Sequence, residues 1–528
     1  NPLSIDGGTT LSDGNLAISS ANYGNNTATF FLTSGKWYWE AQGEGYVGAV
    51  CSNAGQNWGT SISTTGSNSI GYYTNGTLYY DGGSDTGGAS YTSSDIIGVA
   101  VDMDAGTIKF YKNNSLQYDR TFGSGGIPDF SDGVFPCYNN GSVSTTKTVT
   151  FNFGQSGFTY TPPTGFKALS TAALSAPTIA DGSAYFQTTL YTGNGTAIGS
   201  GGNAVSQSEN STFQPDLVWI KRRDSAVEHV LTDVVRGVTK EISSDDTGAE
   251  ETVAEGLTTF GSSGFTVGSD ASYNTNTAPY AAWQWLAGNG AVSNTDGTIT
   301  STVSANTTAG FSVVTATQSA SAGTYSFGHG LGVKPAMLFL KNRDSAANWQ
   351  IWNKNLSSET DSYLQFNTNA ELTFSPMWDT APNSSTFSAH TSGPIPAGDA
   401  FVAYCFAEVE NFSKFGSYIG NSSTDGPFVW CAFRPAFVMI KAFSTVGRWN
   451  MYDSTRDPNN DGDWQVLDAR DSGAESALSG SDDLDFLSNG FKLRRSSSNF
   501  NTSGVTYLFL AFAEHPFGGD GVAPVPAR

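Results

Sequence analysis

Apolar residues along this chain recur either at a period of two or in short unbroken runs, with Gly, Asn, Asp and Ser between them. A period of two marks a strand with one buried face, and a short unbroken run marks a strand buried on both faces. Gly35-Lys-Trp-Tyr-Trp-Glu40 and Gly45-Tyr-Val-Gly-Ala-Val50 read as two successive strands. Asn75-Gly76, Ala105-Gly106 and Asn113-Asn114 each separate two apolar stretches and predict hairpin turns. No long stretch follows the helical period, so very little helix is expected. The pattern predicts an all-β chain whose first module, residues 1–168, is a two-sheet antiparallel sandwich.

After an Ala-, Ser-, Thr- and Pro-rich linker at 169–184, one pattern occurs three times. Pro215-Asp-Leu-Val-Trp-Ile-Lys221, Pro335-Ala-Met-Leu-Phe-Leu-Lys341 and Pro435-Ala-Phe-Val-Met-Ile-Lys441 share proline, one variable residue, four apolar residues and lysine. A ring follows each lysine by eight residues: His229, Trp349 and Trp449. Each copy closes on an apolar run, at Tyr280 to Trp285, Phe401 to Glu408 and Thr506 to Glu514. Three β repeats are expected, at 185–290, 291–414 and 415–528. Each should be a compact sandwich, and together they should form tandem domains rather than a tight solenoid.

Composition agrees with this reading, and charge narrows the partners. Aromatics make up 13% of the 528 residues, and 47 acidic against 25 basic residues leave a formal charge of −22. So acidic a surface repels phosphate backbones and anionic membranes, which argues against nucleic acid as a partner. The four cysteines, Cys51, Cys137, Cys405 and Cys431, form no C-x-x-C pair and read as small buried hydrophobes. No apolar run is long enough for a transmembrane helix, and no signal-peptide pattern opens the chain at Asn1. Release by lysis would need none.

The order Gly-Lys-Trp-Tyr-Trp-Glu, Val-Gly-Ala-Val, Ile-Gly-Tyr-Tyr, Asp-Ile-Ile-Gly-Val-Ala-Val-Asp and Thr-Ile-Lys-Phe-Tyr-Lys resembles a SPRY domain. Phe135-Pro-Cys-Tyr138 and Phe151-Asn-Phe-Gly-Gln155 continue that family's order. The resemblance implies a concanavalin-like sandwich that binds protein partners through variable loops, with no catalytic residues. The repeats, with Leu190-Tyr-Thr-Gly-Asn-Gly-Thr196, Gly328-His-Gly-Leu-Gly332 and the closing Ala513-Glu-His-Pro-Phe-Gly-Gly519, resemble domains of tail-associated proteins of tailed, often marine, phages. That second resemblance implies a place on a virion.

Candidate chemistry is sparse. His229, His329, His390 and His515 fall in no metal-binding or triad spacing, and no nucleophile elbow or phosphate loop occurs. One run, Asp457 to Asp468, has the form of a calcium loop. Asp457, Asn459 and Asp461 stand at its positions 1, 3 and 5, Gly462 at 6, Asp463 beside it, and Asp468 at 12 in place of the usual Glu. The same run also reads as an acidic turn between strands. Trp58, Trp378 and Trp464 lie in loop-like sequence and read either as sugar-stacking rings or as packing. No ligand-binding residues beyond these are identifiable.

The expectation is a non-enzymatic structural and binding protein of a phage virion, a tail fibre or tail-associated appendage acting in host-surface recognition. Its expected partners are other virion proteins and a host cell-surface protein or glycan, with self-association, in a trimer by analogy with phage fibres. A capsid or tail decoration protein and a polysaccharide depolymerase are the alternatives.

Overall fold

The computed structural model describes residues 8–21, 25–51, 68–131, 133–142, 145–155, 157–169, 177–366, 370–393, 395–460, 465–477, 484–497 and 499–515. These residues are nearly all β, and the one α-helix among them is the single turn Ala271–Asn274. None of them forms a helix long and apolar enough to cross a membrane. The chain divides into two compact units, with Asn1–Ser175 forming the body of the first and Ala176–Gly518 that of the second.

The first unit is a sandwich of two mainly antiparallel sheets. One sheet runs in the order Thr9–Ser12, Ala17–Ser20, Lys147–Asn152, Lys36–Gly43, Ile96–Asp102, Thr107–Lys112 and Ser115–Thr121. The other runs Asn25–Thr27, Val134–Asn139, Tyr46–Cys51, Ser69–Tyr73, Leu78–Tyr80 and Gly83–Asp85. Trp39, Val99 and Phe110 from the first sheet pack with Val47, Tyr72 and Leu78 from the second. Asn113 and Asn114 hold φ of 47° and 66°, the left-handed pair that a two-residue hairpin turn requires.

In the second unit each repeat is built on a six-stranded antiparallel sheet. The proline strands Leu217–Arg222, Met337–Asn342 and Arg434–Ala442 pair with the closing strands Pro279–Trp285, Ala400–Phe406 and Thr506–His515. The register is the same each time: Leu217 lies opposite Trp285, Met337 opposite Phe406, and Phe437 opposite Phe512. A smaller sheet covers one face. It holds three strands in the first and third repeats and two, Thr324–Gly328 and Thr386–His390, in the second.

The alternation of side chains along the proline strands decides how the repeats combine. Val218 and Ile220 face the first repeat's own small sheet, with Val205 and Phe265. Leu338 and Leu340 do the same in the second, against Phe327 and Phe387. The other face, Leu217 and Trp219 or Met337 and Phe339, belongs to a cluster that also contains Phe437, Met439 and Phe512 of the third repeat. All three repeats therefore share one core. Only about 10 Å³ remains free at its centre, among walls such as Trp219, Phe339 and Met439. A void so small and apolar stays dry. The three repeats delimited by sequence are thus fused in a single unit rather than strung out as separate sandwiches.

Candidate functional site

The recurrent lysines explain how the fusion is held at its polar edge. Lys221, Lys341 and Lys441 are almost fully buried. Lys221 Nζ donates to the carbonyls of Ser225 (3.1 Å), Val227 (2.6 Å) and, in the third repeat, Ser472 (2.9 Å). Lys341 Nζ donates to Ala347 O (2.6 Å) and reaches Asp246 O of the first repeat at 3.4 Å. Lys441 Nζ donates to Gly447 O at 2.7 Å. Burial pushes Lys221 and Lys341 down to about 8 and Lys441 to about 7.

Two residues past each lysine, a backbone carbonyl accepts from the next repeat. Glu475 N donates to Arg223 O (2.7 Å), Glu250 N to Arg343 O (2.9 Å) and Glu371 N to Phe443 O (2.8 Å). First meets third, second meets first, and third meets second, so the contacts close a ring. Side chains reinforce two of the three junctions. Arg223 pairs with Glu475 at 2.7 Å and Arg343 with Glu250 at 2.8 Å, whereas Phe443 has no charge to offer.

The eighth-residue rings follow the same cycle. Trp349 Nε1 donates to Ser243 O (2.8 Å), and Trp449 Nε1 donates to Gln365 O (3.1 Å). His229 sits at the equivalent place fully buried, and neither of its ring nitrogens has a hydrogen-bond partner among the described residues. Burial, with the positive charges of Lys221 and Arg456, pushes its pKa well down, so the imidazole is neutral. These groups are consumed by architecture, and they converge on no open cleft.

The structure places the remaining sequence candidates separately. Asp461, Asp463, Trp58 and Trp464 lie outside the described residues. In the proposed calcium loop, Asp457 Oδ2 accepts from Gln465 N (2.8 Å). Asp468 Oδ1 accepts from Trp449 N (3.1 Å), and its Oδ2 pairs with Arg470 at 2.9 Å. Asp468 therefore serves the strand pairing beside Trp449, and Asn459 is on the loop between. Trp378, read from sequence as a loop ring, is fully buried and donates to Ser362 O at 2.9 Å, which makes it a packing residue. His329 is also buried, its Nε2 3.1 Å from Asn383 O. Cys137, Cys405 and Cys431 are buried free thiols, raised in pKa by burial. Among the described residues no three His, Cys, Asp or Glu side chains gather as a metal-binding group.

A surface recess offers different chemistry. It measures about 290 Å³ and lies between residues 408–414, a loop running into the strand Ser413–Ile419, and the strand Phe428–Trp430, with Glu408, Glu410, Asn411, Lys414, Trp430 and Ala432 on its walls. The strand alternates: Val429 points inward, while Phe428 and Trp430 face out. Trp430 is 51% exposed, whereas Trp219, Trp283, Trp349 and Trp449 are buried. Lys414 Nζ stands 5.6 Å from the Trp430 ring centroid, within cation–π range. Glu408 accepts from both Lys354 and Lys414. Burial raises its pKa, but the two lysines outweigh that and leave the carboxyl below the usual range. Ala432 holds φ of +71°, a left-handed conformation that is costly for a residue with a Cβ. Sequence reading missed this site because its two walls are separated in the chain. The outward Trp430 in a short strand was the available signal.

These features define a β protein with a two-sheet sandwich ahead of a fused three-repeat body. Residues 36–156 match the SPRY domain. Residues 181–516 match the family described as Domain of unknown function (DUF7483), and the chain belongs to that family. Solved structures similar to part of the chain include the SPRY domain of human HERC1, at 23% identity over 27% of this chain and 91% of that one, with a TM-score of 0.23. A human SPRY domain is similar at 19% identity over 28% and 95%, with a TM-score of 0.23. The TRIM65 PSpry domain is similar at 16% identity over 29% and 89%, with a TM-score of 0.24. No curated protein matches the chain.

Proposed function

We propose that this chain is a structural and binding protein of a phage virion, a tail fibre or other tail-associated appendage that recognises the host surface. The observation that carries this reading is the division of labour in the second unit. The buried Lys221 and Lys341 and the part-buried Arg223 and Arg343 reach across to neighbouring repeats and join them into one body, while a recess walled by Trp430 and polar side chains stays open at the surface. Rigid β scaffolds that present loops and edges suit binding. The resemblance of the repeats to domains of phage tail-associated proteins supplies the virion setting. Other virion proteins and a host cell-surface protein or glycan are the partners, and several copies per particle would add avidity.

Immunogold labelling of particles from the phage that encodes the chain tests the location, and binding of the purified chain to host cells tests the role. Label on the tail together with cell binding is expected. Absence from particles overturns the reading. Label confined to the capsid, without cell binding, would point to decoration instead.

A further inference from the structure

We infer that the recess beside Trp430 is a saccharide subsite, and that its ligand is an uncharged pyranose unit of a surface glycan. This deepens the host-recognition reading and rests on it for the biological source of the sugar. The recess has the two faces such a ring requires. A pyranose presents an apolar face of C–H bonds and a rim of hydroxyls. Trp430, half exposed at the end of its strand, supplies a flat apolar platform. Glu410 and Asn411, with the Glu408–Lys414 pair, supply acceptors and donors around it.

Size and charge narrow the class further. Binding pockets for small molecules begin at about 300 Å³, so this recess takes one or two sugar units rather than a long segment. Glu408 and Glu410 line the wall, Lys414 is already paired with Glu408, and the chain carries −22 overall. With Lys354 and Lys414 both engaged by Glu408, a uronic or sialic acid would meet the chain's overall negative charge without a ready cationic partner, whereas a neutral hexose or N-acetylhexosamine needs none. The strained Ala432 backbone on the same wall fits a surface held in a set shape for a ligand.

The test is a glycan microarray carrying neutral and acidic saccharides, probed with the full chain and with Trp430→Ala and Glu410→Gln. Any neutral saccharide it identifies is then titrated by calorimetry. Expected is binding to at least one neutral saccharide, weakened about tenfold or more by Trp430→Ala through loss of the stacking platform, with the thermal midpoint unchanged. Glu410→Gln should weaken it less. No binding to any neutral saccharide, or binding indifferent to Trp430→Ala, overturns the assignment. A chain found on the tail that binds no sugar defeats this inference alone. A chain that binds sugar through Trp430 but is absent from particles defeats the appendage reading alone.

Discussion

Tyr404 of the second repeat donates its phenolic hydrogen to Asp233 Oδ2 of the first, 2.9 Å away, with both side chains fully buried. Arg236 completes the group, pairing with the same carboxylate oxygen at 2.5 Å and donating to Tyr404 Oη at 3.1 Å. The arrangement is repeated one step round the ring. Trp283 of the first repeat donates through Nε1 to Asp453 of the third at 3.1 Å, and Arg456 pairs with Asp453 at 2.5 Å. The third equivalent set is Leu510, Asn353 and Leu356. Where the facing residue cannot donate, the buried acid and its arginine are both gone. That concerted change is what burial demands, because an acid left without its partners in a core is costly.

Tyr404→Phe removes a donor from Asp233 but leaves the Arg236 pair, so a loss of about 1–2 kcal/mol is expected. Arg236→Ala leaves the carboxylate buried and should cost about 3–5 kcal/mol. Urea unfolding curves of the two variants check the ranking, and an equal loss would contradict it.

Lys221→Met takes the donor from three carbonyls and abolishes a titration. Lys221 is held down to about 8 by burial against an ordinary 10.5. A depressed pKa means that this group's contribution is fullest above 10.5 and is lost as pH falls through 8. Wild-type stability should therefore rise relative to Lys221→Met between pH 8 and 10.5, by about 3 kcal/mol. Denaturation of both proteins across that window measures the difference.

His229→Phe should stabilise the protein, because it replaces a buried imidazole whose nitrogens have no partner among the described residues. A gain of about 1 kcal/mol is expected at pH 7. Since the folded-state pKa lies well below the ordinary 6.5, wild type weakens as pH falls beneath 6.5 and the unfolded chain takes up the proton. The advantage of the variant should then grow by up to about 1.4 kcal/mol per pH unit, read from thermal midpoints at pH 7, 6 and 5.

Glu241 works in the opposite direction. Burial raises its carboxyl to about 7 from an ordinary 4.5, so its contribution is full below 4.5 and is lost as pH rises to 7. Glu241→Gln should gain on wild type across that interval by about 3 kcal/mol. A difference independent of pH would show that the carboxyl titrates normally.

Much of the fold was legible in the residues. Unbroken runs such as Leu217 to Ile220 announced strands covered on both sides, and Asn113-Asn114 announced its turn. The SPRY order was readable because several motifs fall in sequence. An apolar run does not say what covers it, however, so the common core of Trp219, Phe339 and Met439 was not foreseeable. Lysine at the end of an apolar strand ordinarily snorkels to water, and only its threefold recurrence hinted at buried carbonyl partners. Turn-forming neighbours left Trp378 readable either as a sugar-stacking ring or as packing, and its burial decides for packing. The recess at Trp430 depends on segments that meet only in three dimensions.

The central claim is that three repeats form one body, and native-state hydrogen exchange of the full chain tests it most directly. Peptides covering Leu217–Arg222, Met337–Asn342 and Arg434–Ala442 are followed as urea is raised. One shared core predicts that all three exchange through a common opening, with the same free energy and the same urea dependence. Independent openings, with one proline strand exposed while the other two stay protected, would contradict it.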